Sequence, residues 1–399
     1  MDYAFYDCSK LGDKGNFNSW NVSSITNMEV MFGHTSTFDQ PLNSWDVSSV
    51  TNMAYMFNDA SVFNHPLDAW NVSSVTDMSY MFYYATLFNQ PLNSWNLTNA
   101  IDLSHMFAVA TSFNHPLDDW NLSSVTDISG MFSNAFSFDQ PLNNLNVSSV
   151  THMSNLFFAA SSFNQPLYSW DVSSVTSMYG MFYKAYKFNQ PLDTWNISSV
   201  RDMGNMFNGI SLNHQYYDAM LKTWSSLPLR LYVHLDMGNT KYSSTSRFYR
   251  ESIISQYQWD ISDGGIYDLT NPILTSRPND LSLIQGYSSL SKLNWEVGDQ
   301  NPASYNITQN GKDILSNNWT NGTITFDLPL GLSTGIYEYV ITIYDQADNF
   351  VNDSVVVTVN QSTSSNSSNQ SSIKGLDMIL SPLFTAIFIT SVVYFNRRK

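Results

Sequence analysis

The residues able to do chemistry in this chain are few, and their spacing is the first thing to test. The seven histidines are His34, His65, His105, His115, His152, His214 and His234, and the four glutamates are Glu29, Glu251, Glu296 and Glu338. None of them falls in an HExxH, CxxC or GxSxG pattern, and no glycine-rich phosphate loop is present. His65 and His115 occupy equivalent places in two non-adjacent copies of a repeat. In stacked copies they stand roughly 10 Å apart, too far to share an ion. Glycoside hydrolysis needs paired carboxylates, and here only aspartates could supply them. Asp77, Asp102, Asp127 and Asp202 share one repeat position, which Asn52, His152 and Ser177 fill in other copies. Such a mixture suits a capping position where any small polar residue serves. Alternating carboxylate and amide oxygens also make a calcium ion between copies the one cofactor this ladder would suit. Cys8 is the single cysteine, so no intramolecular disulfide is available. The composition points to a non-enzymatic protein.

The charge pattern excludes one class of partner. Only 13% of the residues are charged, and the net charge is −16. Between Lys14 and Lys184 there is no lysine or arginine, while Glu29 and eleven aspartates fall in that stretch. Phosphate backbones are held by Lys and Arg, so nucleic acid is not a partner of this half, and neither is an anionic lipid surface.

The scaffold that must position these residues is a repeat. "FDQPLNSWDVSSVTNMAYMFNDASV" starts at Phe38, and versions of it start at Phe63, Phe88, Phe113, Phe138, Phe163 and Phe188, always 25 residues apart. Pro–Leu recurs from Pro41 to Pro191. Trp recurs at 45, 70, 95, 120, 170 and 195, with Leu145 as the substitution. Such periodicity means a solenoid whose coils bury their apolar faces on one another. Within a coil the Pro–Leu–x–x–Trp–x–Val segment predicts a short strand. Val50, Met53, Met56, Phe57 and Ala60, at three- and four-residue spacing, predict a short helix. A leucine-rich-repeat-like solenoid follows, with a β-solenoid as the alternative. "MDYAFYDCSKL" aligns with Met78–Phe88, placing Met1, Phe5, Cys8 and Leu11 on repeat columns. The chain is therefore expected to start in the middle of a coil, as a truncated start would make it.

The unit "FNQPLNSWNVSSVTDMSYMF" resembles the repeats of BspA-like surface proteins, which are also abundant in mycoplasma-type surface lipoproteins. The resemblance is dense over residues 1–210 and implies attachment at a cell surface rather than a defined reaction. The stretch 216–265 resembles the unit that closes such arrays, without the cysteine often found after its Tyr (here Tyr242–Ser243).

These readings divide the chain into a solenoid at 1–212, an α/β cap at 213–268 and an immunoglobulin-like β-sandwich at 269–360. A Ser/Asn-rich stalk follows at 361–375, a transmembrane helix at 376–395 and a basic tail at 396–399. The β-sandwich rests on short β-rich runs such as "GIYEYVITIYDQADN" between Gly, Asn and Asp turns. That last hairpin resembles those of Ig-like modules in archaeal and bacterial surface proteins. The membrane helix rests on an uncharged run of 18 residues, Met378–Phe395, followed by "NRRK". It places the protein in a cell membrane, single-pass, with the ectodomain outside and the C-terminus in the cytoplasm.

Sequons fit an outside location. Asn21, Asn71, Asn96, Asn121, Asn146 and Asn196 copy one repeat column, in which Asp46 and Asp171 also stand. Asn306, Asn318, Asn321, Asn352, Asn360, Asn366 and Asn369 lie beyond the repeats. Recognition is expected where the copies differ. A candidate strip comprises Tyr83, Tyr84, Phe136, Phe158, Tyr183 and Tyr186, aromatic side chains suited to a sugar face or a protein partner, or else simply packed between coils. The function expected is adhesion to, or recognition of, a surface protein or glycan of another cell or of the matrix. A structural coat component is the alternative, and a surface hydrolase with a missing catalytic part is the third reading.

Overall fold

The computed structural model describes residues 1–8, 11, 15–287 and 291–362. Consecutive 25-residue units stack in register through single parallel β-bridges, Asn27 to Asn52, Asn52 to Asp77, and so on to Asp202. Within each unit the chain runs as a succession of tight turns.

The expected solenoid of strand-plus-helix coils is overturned. Among the described residues the only α-helices lie beyond the repeats, and the Pro–Leu–x–x–Trp segment closes a turn, with the Trp45 N–H on the Leu42 carbonyl at 3.0 Å. The destination of the backbone donors gives the reason. The N–H groups of Met28, Val30, Phe32 and His34 donate to the carbonyls of Asn52, Ala54, Met56 and Asn58 in the next coil. The intervening Met31 and Gly33 donate to residues three back. A helix would satisfy every donor inside its own coil and leave none to join neighbours. Each coil also passes through the left-handed region at two places four residues apart, as at Tyr55 (φ 57°) and Asp59 (φ 57°). This turn series has nearly the period of a helix, which is why the apolar spacing predicted one.

The core is a set of side-chain ladders. Phe32, Phe57, Phe82, Phe107, Phe132, Phe157, Phe182 and Phe207 stack with centroids 5.5–5.9 Å apart. A second ladder from Phe38 to Phe188 lies against it at 3.9–4.3 Å within each coil. Each repeat Trp donates its indole N–H to a carbonyl 28 residues earlier, as Trp70 does to Leu42 and Trp95 to Leu67, both at 2.9 Å. Buried indoles need such a partner.

Polar columns tie the outside. Asp77, Asp102, Asp127 and Asp202 each accept the N–H two residues on, at 2.7–3.0 Å. This is an Asx turn, and Asn52 makes the same bond. Asn64, Asn89, Asn114 and Asn164 accept the backbone N–H of the equivalent residue one coil on. Gln90 and Gln190 donate to a carbonyl 26 residues back, and His65 and His115 place Nε2 on the equivalent carbonyls at 3.1 and 3.2 Å.

Beyond the last coil, α1 (His214–Trp224) is capped by Asn213, whose side chain accepts from the Gln215 N–H. Then come β1 (His234–Asp236), β2 (Tyr242–Ser243), α2 (Arg247–Tyr257), β3 (Asp260–Ser262) and β4 (Ile266–Tyr267). β1 pairs with β3 and β2 with β4, both in parallel. A bridge from Met203 to Leu235 hands the stack on to β1. Tyr217, Trp224 and Leu235 share one hydrophobic cluster with the coils.

A separate cluster built on Trp295, Tyr339 and Val357 fills the last region. Its strands are β5 (Ile273–Ser276), β6 (Leu281–Ile284), β7 (Lys292–Gly298), β8 (Pro302–Gln309), β9 (Lys312–Asn318), β10 (Gly322–Asp327), β11 (Gly335–Asp345) and β12 (Phe350–Asn360). They form two sheets, ordered β10-β7-β5 and β6-β12-β11-β8-β9, with β6–β12 the one parallel pair. The alternating burial of β11 and β12 matches this layering. The region is a two-sheet β domain, and its topology does not by itself identify an immunoglobulin-like module.

The single-pass membrane assignment is also corrected. Among the described residues no helix is long and apolar enough to cross a membrane. The proposed span 376–395 and tail 396–399 lie outside the described residues, as does the stalk after residue 362.

Candidate functional site: the variable turn edge

Two left-handed turn positions push the side chains that follow each Met–Phe pair to one edge of the stack. Most columns there repeat, and a few do not. The six aromatics of the candidate strip belong to three columns. Tyr83, Phe158 and Tyr183 share the first and are half-buried, Tyr84 stands in the second, and Phe136 and Tyr186 share the third.

The geometry separates rings whose faces are used from rings whose faces are free. Phe158 and Tyr183 stack at 4.6 Å, with Lys184 Nζ 5.0 Å from the Tyr183 centroid. Tyr55, Tyr80 and His105 form a continuous stack at 4.5 Å spacing, their planes nearly parallel. The stack ends on Gly130, where an added Cβ would lie 2.5 Å from His105 Nε2. Burial pushes the Tyr55 and Tyr80 phenols up and the His105 imidazole down. His105 Nδ1 is buried with no hydrogen-bond partner. These packed rings present edges to solvent.

Near the first coils the same edge opens into a cleft of about 290 Å³ lined by His34, Asn58, Asp59, Tyr83 and Tyr84. His34 Nδ1 lies 3.1 Å from Asp59 Oδ2, which orients both groups. Tyr83 and Tyr84 meet edge to face at 4.7 Å, and Tyr84 is 43% exposed. Burial and the neighbouring Tyr84 raise the Tyr83 phenol. Aromatic walls with an imidazole, a carboxylate and an amide can hold a polyhydroxylated or peptide ligand. A second cleft, of about 370 Å³, lies between the last coil and the cap, where His214 stacks on Tyr267 at 3.9 Å.

Among the described residues the aspartate column is not gathered into a cluster of three acidic groups, and Oδ1 of each of its carboxylates accepts the N–H of an Asx turn. A different trio does come together. Oxygens of Asp268, Asp299 and Asp345 lie within 4.8 Å of one another. Burial works against the Asp268 carboxylate, but hydrogen bonds from Thr270 and Asn301 outweigh it and hold its pKa low. Burial raises that of Asp299. A hard, oxygen-seeking cation suits such a trio, yet all three already accept N–H donors from Thr270, Asn301, Ala347 and Asn349. No sequence pattern marks this trio, since Asp268 follows β4, Asp299 lies between β7 and β8, and Asp345 ends β11.

The repeat sequons Asn21, Asn71, Asn96, Asn121, Asn146 and Asn196 are exposed. Each accepts the N–H two residues on through Oδ1, as Asp46 and Asp171 do. The column is therefore a structural turn position, with the asparagine nitrogen turned to solvent chemistry only where Asn occupies it. In the β domain, Asn318, Asn321, Asn352 and Asn360 are exposed, while Asn306 is tied to Asp313 and Ser316. Asn366 and Asn369 lie outside the described residues.

Comparison with known proteins fits the repeats. Among solved structures, fibronectin(III)-like modules of Clostridium thermocellum CbhA are similar at 18% identity and a TM-score of 0.17, over 23% of this chain and 96% of that one. Listeria monocytogenes InlP is similar at 12% identity and a TM-score of 0.15, over 85% and 89%. Likeness at that level carries no argument about fold or function. No curated protein matches the chain. The family described as "Mycoplasma protein of unknown function, DUF285" matches residues 1–120 and 101–220. With more than half of its length matched, the chain belongs to the DUF285 family.

Proposed function

We propose that this protein is a non-enzymatic surface recognition protein, which binds a protein or glycan partner along the variable turn edge of its stacked coils. The observation that carries the reading is the cleft of His34, Asn58, Asp59, Tyr83 and Tyr84. Coils that are otherwise near-copies differ there, and the side chains that differ are exposed or half-exposed. Residues that build the stack must recur, because each coil packs on the next. Residues that do not recur are free to serve a partner.

The test uses labelled full-length chain against a panel of cells and matrix proteins. Its comparator is a double variant, Tyr83→Ser with Tyr84→Asn, which borrows the residues of Ser133 and Asn134 from the same columns. The borrowed residues keep the turn, since Asn tolerates the left-handed φ of 59° at position 84. Binding by the wild type that falls roughly tenfold in the variant, about 1.4 kcal/mol, with an unchanged circular dichroism spectrum, supports the reading. Wild-type chain that binds no cell or matrix protein, or a variant that binds as well, refutes it.

A further inference from the structure

Phe136 and Tyr186 interrupt a column that carries a small hydroxyl residue in the other coils. Their column reads Ser36, Ser61, Thr86, Thr111, Phe136, Ser161, Tyr186. Where it carries threonine, the hydroxyl donates to the carbonyl of the preceding coil, Thr86 to Ser61 at 3.2 Å and Thr111 to Thr86 at 3.3 Å. Phe136 and Tyr186 exchange that bond for rings that are 47% and 64% exposed. Unlike Tyr183, which is stacked on Phe158, neither ring packs on another aromatic ring among the described residues. Two part-exposed rings in one column offer apolar faces to a ligand that stacks on aromatics.

Their spacing supplies the ligand. Coils here are joined by parallel bridges, Asp127 to His152 and His152 to Ser177. Adjacent strands lie about 4.8 Å apart, so two rings separated by one coil stand roughly 10 Å apart along the stack, the length of a two-sugar unit, which sets the rings under alternate sugars of a chain. Ser161 lies between them, leaving a gap with a hydroxyl for the chain to cross. The surroundings favour an uncharged ligand over a polyanion that spans both rings. The coils from Gly15 to Tyr183, Phe136 among them, contain no lysine or arginine, and the chain carries −16. The nearest cations in the sequence are Lys184 and Lys187, beside Tyr186. A polyanion would meet cations at the Tyr186 end alone and be repelled along the coils that lead to Phe136.

We propose that Phe136 and Tyr186 form a platform on which a linear, neutral, β-linked polysaccharide lies along the stack axis, its C–H faces resting on the two rings. This deepens the recognition reading and rests on it.

The experiment is native affinity electrophoresis of the full chain through gels containing a soluble neutral β-glucan, β-mannan or β-galactan, with polygalacturonate and hyaluronan as acidic counterparts. Variants take the column's own residue, Phe136→Ser and Tyr186→Ser, singly and together. Tyr168→Ser, an exposed aromatic off the column, is the control. Retardation by a neutral polysaccharide is expected, weakened roughly tenfold by either substitution, abolished by both and unchanged by Tyr168→Ser. Circular dichroism checks the fold, and Phe136→Thr, as in Thr86 and Thr111, stands in if Ser unsettles the coil. Retardation by none of the neutral polymers, retardation by the acidic ones alone, or equal retardation of the double variant overturns the proposal. Cell binding that persists without glycan binding sinks the platform alone, whereas loss of all binding sinks the recognition reading too.

Discussion

Trp95 offers a direct measure of what holds one coil to the next. Its side chain is 2% exposed, its ring lies parallel to Trp70 at 6.4 Å, and its indole N–H donates to the Leu67 carbonyl at 2.9 Å. Trp95→Phe keeps a ring and removes the donor; the Leu67 carbonyl keeps the Trp70 backbone N–H at 3.1 Å, so the loss is one hydrogen bond, about 0.5–1.5 kcal/mol. Trp95→Leu removes the donor and part of the ring volume as well, for about 2–4 kcal/mol in total, short of the 3–5 of a full truncation to alanine. The chain has already made this exchange once, since Leu145 stands in the Trp column at 7% exposure. Leu145→Trp should add the missing bond to Leu117 and raise stability by up to about 1 kcal/mol. Urea unfolding followed by circular dichroism gives the midpoints and slopes, and constant slopes license the comparison. Should Trp95→Phe cost less than about 0.5 kcal/mol, the indole ladder would be a by-product of packing, and the argument for coil-to-coil bonding through it would fail.

Three other outcomes are expected. Burial lowers the His105 pKa below its ordinary 6.5, opposed by Asp102 and Asp127, with Tyr80 stacked on one ring face. Because the folded state resists the proton that the unfolded state takes up, the His105 contribution is complete above the unfolded pKa. It is lost as pH falls from there through the folded value. His105→Tyr, continuing the Tyr55–Tyr80 stack, should flatten that part of a stability–pH curve, and an unchanged curve would discount the histidine. Val109 is a β-branched residue at φ 60°. Val109→Asn, the residue of Asn134 in the same column, should stabilise by about 1 kcal/mol, read as a higher urea midpoint. Arg250 holds the buried Asp263 at 2.7 Å, and Tyr217 donates to the same oxygen at 2.9 Å. Arg250→Leu should cost about 3–5 kcal/mol by stranding that carboxylate, measured in the same way. The double change with Asp263→Asn should recover much of the loss.

The sequence by itself determined the repeat, its 25-residue period and which columns are buried. Recurrence of Phe, Leu, Trp and Met in register has one cheap physical cause, identical side chains stacking on identical side chains, and those columns are the core. It also carried the acidic character of the coils and the absence of lysine between Lys14 and Lys184, since charge needs no fold to be counted. The path of the chain inside a coil was decided only by tertiary structure. Met53, Met56, Phe57 and Ala60 suit a helix equally well, and what rules a helix out is that alternate N–H groups of that stretch, those of Met53, Tyr55, Phe57 and Asp59, find partners in the next coil. The same holds for the rings of the variable edge. Tyr183 and Tyr186 look alike in the sequence, but a neighbour one coil away covers the face of Tyr183 and leaves Tyr186 bare. The meeting of Asp268, Asp299 and Asp345 likewise depends on how two loops and the end of β11 are brought together. Local pattern fixes what a residue prefers to bury, and only packing between distant segments fixes which face it has left to offer.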